Sequence, residues 1–94
     1  MPERFGLETA YPNPFNPVAV VPFALPEAAQ VRISVYDVRG RRVAVLASGV
    51  YAAGRHRVLF DGSGWSSGVY LVRSEMVTNG GEVHQFTQLL TLVK

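Results

Sequence analysis

The chain has 94 residues, of which 48% are apolar and 17% are charged, a composition that supports one folded domain and excludes a disordered chain. It contains no cysteine, which excludes a disulfide framework and a thiolate metal site. The formal net charge is only +2, so no strong field attracts nucleic acid and we expect no nucleic-acid partner. The longest apolar run, Val18–Leu25, is interrupted by Pro22 and is too short to be a transmembrane segment.

The first ten residues are predicted to be a short lead-in. Met1–Arg4 is polar, and no apolar segment of the signal-peptide type follows it. Phe5 and Leu7 are expected to pair at a sheet edge. We therefore place a lead-in or linker at residues 1–10 and the folded domain at residues 11–94.

The predicted domain begins with a proline-rich segment, Tyr11-Pro12-Asn13-Pro14-Phe15-Asn16-Pro17. Its prolines fix φ, lack N–H donors and push each preceding residue toward extended geometry. Such a segment is stiff and cannot be a central strand. We predict a rigid lead into the domain with Tyr11 and Phe15 packed against the core; the alternative is a dedicated recognition motif.

An antiparallel hairpin is predicted at Val31–Val45, and the other segments are arranged about it. Apolar and polar residues alternate from Val31 to Val35, which is typical of a strand with one buried face. Gly40 can adopt φ > 0 at low cost, so the chain can reverse there. Asp37 is placed to accept backbone N–H groups at the start of the turn. The apolar parity changes at Tyr36, which indicates a bulge or a second covering element.

Further short strands are predicted on both sides of this hairpin. Ala19–Leu25 has one apolar face, and Pro22 on its opposite face places that strand at an edge or beside a bulge. Later strands are predicted within residues 55–60, 69–76 and 85–93. About seven short strands with regular turn signals and no sustained helical period predict an all-β, immunoglobulin-like antiparallel β-sandwich.

One short motif matches a catalytic pattern. Gly64–Gly68 satisfies Gly-x-Ser-x-Gly with Ser66 as nucleophile, and Asp61, His56 and His84 could complete a triad. The motif requires a strand-to-helix turn, whereas the residues after it are predicted to form a strand. The histidines have no second ligand at metal-binding spacing. We therefore predict no enzyme, with no catalytic, metal-binding or cofactor-binding residues.

Two other groups of side chains could bind a ligand. The arginines near one turn and on neighbouring strands are Arg39, Arg41, Arg42, Arg55, Arg57 and Arg73. They form either a solvated surface or a site for an anionic partner, because guanidinium pairs bidentately with carboxylate and phosphate. Trp65, Tyr51 and Tyr70 could stack on sugars, as in a carbohydrate-binding module, or close an end of the sandwich.

Six short motifs occur in one order across residues 11–94. They are Tyr11–Pro17, Leu25-Pro26, Val35–Arg41, Ala53–His56, Phe60–Gly62 and Ser67–Tyr70. Together they resemble the C-terminal sorting domain of type IX secretion cargo proteins of Gram-negative bacteria. They are also similar to the immunoglobulin-like domain of the flagellar hook-capping protein. The proline-rich segment and the apolar strand that ends in Lys94 favour the sorting domain.

The resemblance implies a non-enzymatic signal domain on a larger exported protein, which passes through the periplasm and is secreted or held at the cell surface in association with the outer membrane. The implied partners are the type IX outer-membrane translocon and a sortase-like peptidase, which removes the domain before the cargo is joined to anionic lipopolysaccharide. The signal residues implied by the resemblance are Gly68, Val69, Tyr70, Leu90, Leu92 and Lys94. The structural motif residues that it implies are Tyr11, Pro12, Asn13, Pro14, Phe15, Asn16, Pro17, Tyr36, Asp37, Gly40, Asp61 and Gly62.

The last predicted strand departs from the family pattern, because Gln85, Gln88 and Thr91 stand where related tails often hold lysine. We hypothesise that this strand keeps an available edge that pairs main chain to main chain with a receptor. An exposed edge could also pair with a second copy to form a homodimer. Two alternative functions stay open, a structural immunoglobulin-like module (a spacer or a hook-cap assembly domain) and a carbohydrate-binding module.

Overall fold

The computed structural model describes residues 2–94, which form seven strands in two antiparallel sheets and contain no helix. The strands are β1 (Gly6–Leu7), β2 (Val18–Leu25), β3 (Ala29–Tyr36), β4 (Arg42–Tyr51), β5 (Gly54–Asp61), β6 (Gly68–Thr78) and β7 (Val83–Leu92). The strand orders are β1-β2-β5 in one sheet and β4-β3-β6-β7 in the other. The predicted all-β sandwich of about seven strands is confirmed. Its β4 lies beside β3, whereas the constant-type immunoglobulin domain places the fourth strand in the opposite sheet.

The core lies between the two sheets and follows the alternation of the strands. Its largest fully buried side chains include Phe15, Phe23, Phe60, Leu25, Ile33, Met76, Leu90 and Leu92. The Phe60 ring lies between Phe15 and Tyr70, with ring centroids 5.5 Å and 5.9 Å away. Tilted and edge-on contacts of this kind are the favoured arrangement of aromatic pairs. Burial of these side chains supplies the main stabilisation of a fold that has no disulfide.

Asp37 closes the predicted hairpin between β3 and β4. Its Oδ1 accepts the backbone N–H of Arg39 at 2.9 Å and that of Arg41 at 3.0 Å. The hydrogen bond from the Arg41 N–H is the main cause that holds the pKa of Asp37 below its usual 3.8. Gly40 has φ +81°, a conformation that L side chains rarely adopt. The turn expected from Asp37 and Gly40 is therefore confirmed.

Two irregularities interrupt the pairing of β3 with β4. The register shifts between Ile33 and Ser34 and again between Val35 and Tyr36. Each shift inserts an extra residue in β4 and bends the strand locally. The bulge indicated by the parity change at Tyr36 is therefore confirmed.

The strand that carries Pro22 is the central strand of its sheet and pairs with β5 without a register shift, so both predicted alternatives, an edge position and a bulge, are wrong. β2 pairs with β5 over its whole length, including Pro22 with Arg57, and with β1 on its other side. The backbone of Pro22 faces the β1 side, where its carbonyl oxygen accepts the N–H of Glu8 at 2.9 Å. Glu8 lies just beyond the end of β1, so the hydrogen-bond ladder between β1 and β2 stops at Pro22. The N–H donor that proline lacks is therefore not needed within this ladder.

The segment expected to be a lead-in contributes to the sandwich. Leu7 pairs with Phe23, as predicted for a sheet edge. Phe5 lies before β1, packs against the core and stacks on His84 with ring centroids 4.2 Å apart. Met1, which the lead-in includes, lies outside the described residues. The boundary between residues 10 and 11 stays a prediction.

Candidate recognition site at the C-terminal strand

The β6–β7 hairpin brings the predicted signal residues together at one end of the sandwich. The paired positions are Gly68 with Leu92, Val69 with Thr91 and Tyr70 with Leu90. Lys94 follows directly, and its backbone N–H donates to Ser67 Oγ at 3.1 Å. Two distant segments of the chain therefore supply one contiguous unit.

Only part of this unit is accessible from outside. Tyr70, Leu90 and Leu92 are buried in the core. The Tyr70 hydroxyl donates to the Ser66 carbonyl oxygen at 2.6 Å and so fixes the loop before β6. In contrast, Gly68, Val69 and Lys94 are exposed. A partner of the folded domain can contact the exposed residues, whereas the buried ones act only through the fold.

The proline-rich segment lies along the outer edge of β7. The N–H of Phe15 donates to the Thr91 carbonyl oxygen at 2.8 Å, and its carbonyl accepts the N–H of Val93 at 3.0 Å. The side chain of Asn13 continues the ladder: Nδ2 donates to the Leu89 carbonyl oxygen at 3.2 Å, and Oδ1 accepts the N–H of Thr91 at 3.0 Å. A side-chain amide thus replaces a peptide group of a neighbouring strand.

Gln88 anchors the start of the same segment. Its Nε2 donates to the Glu8 carbonyl oxygen at 2.8 Å, and its Oε1 accepts the N–H of Ala10 at 2.9 Å. The sequence predicted no such role for Gln88; its only local signal is an amide on the same face of β7 as apolar Phe86, Leu90 and Leu92. We refer to residues 8–15, which these contacts hold against β7, as the edge strap.

Along residues 89–93, the edge strap contradicts the expectation that the last strand keeps an available edge. It occupies the carbonyl of Leu89, both backbone groups of Thr91 and the N–H of Val93. A receptor strand could pair with this stretch only after Asn13 and Phe15 had moved away.

The two aromatic residues of the proline-rich segment behave differently. Phe15 is buried in the core, as predicted. The prediction for Tyr11 is wrong, because its side chain is 49% exposed and it is held through its backbone, which exchanges two hydrogen bonds with Val20. The peptide bonds before Pro12, Pro14 and Pro17 are all cis.

Gly62 lies where the proline-rich segment, the loop before β6 and β7 meet. Its N–H donates to the Pro17 carbonyl oxygen at 2.7 Å. A Cβ at this position would lie 2.9 Å from Leu92 Cδ2 and 3.2 Å from Phe15 Cε2. Both neighbours are buried and cannot easily move aside. Glycine is therefore required here for close packing.

Asp61 and Lys94 hold the loop between β5 and β6. Asp61 Oδ1 accepts the hydroxyl and the backbone N–H of Ser63. These hydrogen bonds, the hydroxyl first, lower the pKa of Asp61 from 3.8, and the charge of Lys94 adds to the effect. Lys94 Nζ donates to the Ser63 carbonyl oxygen at 2.7 Å. The terminal lysine is thus connected to this loop by both its backbone and its side chain.

The aromatic residues considered for sugar binding do not form one platform. Trp65 is partly exposed beside a groove of about 410 Å³ between the β3–β4 turn and the loop before β6. Tyr70 is buried. Tyr51 lies at the opposite end of the sandwich, edge-on to Phe23 with ring centroids 5.3 Å apart. Stacking on a sugar would require these rings to share a surface.

The residues of the catalytic pattern are also separated. Ser66 lies in the loop before β6, whereas His56 and His84 lie near the starts of β5 and β7, at the other end of the sandwich. His56 Nε2 is 2.8 Å from the Ala52 carbonyl oxygen, and His84 Nε2 is 3.3 Å from a carboxylate oxygen of Glu82. Within residues 2–94, no three histidine, aspartate or glutamate side chains are placed to hold a metal ion.

A protein-family comparison identifies the family of this chain. The family model described as the secretion system C-terminal sorting domain matches residues 9–86. The chain belongs to this family of type IX sorting domains. The matched range includes the whole proline-rich segment, the β3–β4 turn and Gly62, and the last residues of β7 follow it.

Two further comparisons concern curated proteins and solved structures. A search of curated proteins gives no significant match. Among solved structures, CopC from Methylosinus trichosporium OB3b superposes with a TM-score of 0.61 over 95% of this chain and 93% of that one, at 14% sequence identity. A likeness at this identity shows the β-sandwich fold alone.

Membership of the family establishes the general role of the domain. It is a type IX secretion signal, and the sorting-domain family is not catalytic. The protein that carries it is exported and interacts with the secretion system, and it is secreted or reaches the cell surface. Residues 2–94 include no helical segment with the length and apolar character needed to cross a membrane.

Proposed function

We propose that this domain directs a larger cargo protein through the type IX outer-membrane translocon, and that a sortase-like peptidase then removes it. The cargo is left at the cell surface, associated with the outer membrane by joining to anionic lipopolysaccharide. The observation that carries the proposal is the family match over residues 9–86. The assembled C-terminal unit on β6 and β7 is a physical candidate for the address.

We further propose that the translocon reads the outer face of the sheet where β6 begins and β7 ends. Val69 and Leu89 point outward from this face and are 41% and 60% exposed. Val93, just beyond β7, is also exposed. Contiguous exposed apolar side chains are typical of sites that bind another protein. Contact with this face leaves the edge strap in place.

A secretion assay with matched leucine variants tests both proposals. Residues 1–94 are fused to a periplasmic reporter in a cell that has a type IX system. Leu89→Asp should retain the reporter in the periplasm, because a charge on an apolar contact face opposes binding. The control is Leu59→Asp, since Leu59 is 62% exposed on the opposite sheet. That control should reach the surface like the unaltered fusion.

The outcomes separate the two proposals. Surface delivery of Leu89→Asp would contradict the reading face but leave the sorting role intact. Failure of the unaltered fusion to reach the surface would contradict sorting and favour the structural-module alternative. Deleting residues 90–94 is a weaker test, because Leu90 and Leu92 are buried and their loss would unfold the domain.

A further inference from the structure

The outer face of the four-stranded sheet carries a depression of about 180 Å³ with arginines around it. Arg32 comes from β3, Arg42 from β4 and Arg73 from β6. The strand register places Arg73 across from Ser34 and Arg42 across from Tyr36. Arg32 and Ser34 are two residues apart on one strand, about 7 Å. Residues distant in sequence thus form one site, which we refer to as the arginine cup.

The charges of the arginine cup are not neutralised within the domain. None of its guanidinium groups lies within 4.0 Å of a carboxylate of residues 2–94. Glu75 also lines the cup, but its Oε2 accepts a hydrogen bond from Gln85 Nε2 at 3.0 Å. Three arginines and one glutamate leave a net charge of +2. The mutual repulsion of such groups falls when an anion lies between them.

The floor of the cup is polar, and part of it is buried. Ser34 is only 4% exposed, yet it lines the depression on the side of the sheet where Arg73 lies. Its hydroxyl can donate to an oxygen that enters between the guanidinium groups, and Tyr36 supplies a second hydroxyl at the wall. Arg41 and Arg55 lack this setting, since Arg41 pairs with Asp37 and Arg55 with Glu8.

We propose that the arginine cup binds the dianionic group of a phosphate monoester. Guanidinium donors match the geometry of phosphate oxygens, and hydroxyl donors from the floor complete the set. A phosphate monoester carries about −1.5 to −2 charge at pH 7, which matches the net charge of the cup. The small depression admits the phosphate and leaves the rest of the ligand outside. Such a group can belong to a soluble compound or to a lipid headgroup.

An NMR titration of the isotope-labelled domain with inorganic phosphate tests this site. We expect saturable shifts of the backbone amides within residues 32–36, 42 and 73–75, and much weaker shifts with acetate at equal ionic strength. Arg73→Gln should weaken binding about tenfold, because it removes a charged donor. Glu75→Gln should tighten binding, because it removes the one opposing charge. Arg57→Gln is the control. It also removes one positive charge, but Arg57 lies on the other sheet.

Two results would overturn the proposal. One is a non-saturable response or an equal response to acetate. The other is an equal loss of binding in Arg57→Gln and Arg73→Gln, which would indicate a general charge effect. The source of the phosphate is then distinguished by sedimentation with vesicles of phosphatidic acid in phosphatidylcholine. Binding that depends on Arg73 supports the site and identifies a lipid headgroup, and phosphate shifts without vesicle binding support it and identify a soluble ligand.

Discussion

The two flanks of the sandwich differ in whether their outer strands are covered by another segment. On one flank, β7 is covered by the edge strap through hydrogen bonds of Asn13 and Phe15. On the other flank, β4 and β5 end their sheets with no strand beyond them among residues 2–94. The pairing of β4 is instead interrupted by two register shifts. Covering and bulging are both devices that prevent uncontrolled strand addition.

The difference shows where new strands can be added to this domain. A partner strand at residues 89–93 must first displace the strap, whereas one at β4 or β5 meets no covering segment within residues 2–94. The predicted edge-strand homodimer stays a prediction, and β4 or β5 is where it could form with the strap in place. The covered flank also contains all six predicted signal residues, so its packing matters most for the proposed role.

The largest effect is expected at Gly62, where buried side chains of this flank approach the backbone closely. Gly62→Ala should destabilise the domain by about 1–3 kcal/mol, because its Cβ would overlap buried Leu92 and Phe15. Urea unfolding measures the change. Gly64→Ala in the same loop is the control, since a Cβ there has nothing within 4 Å. Equal midpoints for the two variants would contradict the close packing described for this flank.

A smaller effect is expected when the strap loses its side-chain link. Asn13→Ala removes two hydrogen bonds to Leu89 and Thr91 and should cost about 1 kcal/mol. Hydrogen exchange should show faster exchange of the Thr91 amide, while amides of β3 keep their protection. Asn16→Ala, in the same segment and exposed, is the matched control. Unchanged exchange at Thr91 would mean that Asn13 does not secure the edge.

The smallest effect is expected on the open flank, at the Asp37 turn. The pKa of Asp37 is lowered in the folded state, so its contribution to stability is complete above the unfolded value near 3.8 and is lost as the pH falls below it. Asp37→Asn should therefore flatten the dependence of the urea midpoint on pH between about 2 and 5. Asp61, the last residue of β5, provides the comparison, since its pKa is lowered too. An unaltered pH profile in Asp37→Asn would exclude this role of the carboxylate.

Local rules were sufficient for the hairpin and for the fold class. Alternation from Val31 to Val35, with Asp37 and Gly40 at the turn, depends on neighbours in sequence, and the structure agrees with it. The same holds for the burial of Phe15. Period-two patterns and turn residues act over a few positions, and the sequence displays them directly.

The errors arose where a distant segment decides the outcome. Pro22 is tolerated in a central strand because β1 ends beside it, and no local pattern reveals where β1 ends. Asn13 and Gln88 bond to groups 76 to 80 residues away. An open edge at β7 was a reasonable expectation from the strand alone. The strap that covers it is visible only in the folded chain.

The bond between Val93 and Phe15 has a consequence for synthesis and export. Because the strap bonds to Thr91 and Val93, the sandwich can close on this flank only after the ribosome has translated residue 93. Long-range closure of this kind is slow compared with local folding. If the assembled unit is the address, a cargo chain that was broken off before residue 93 would lack it and would not be recognised by the secretion system.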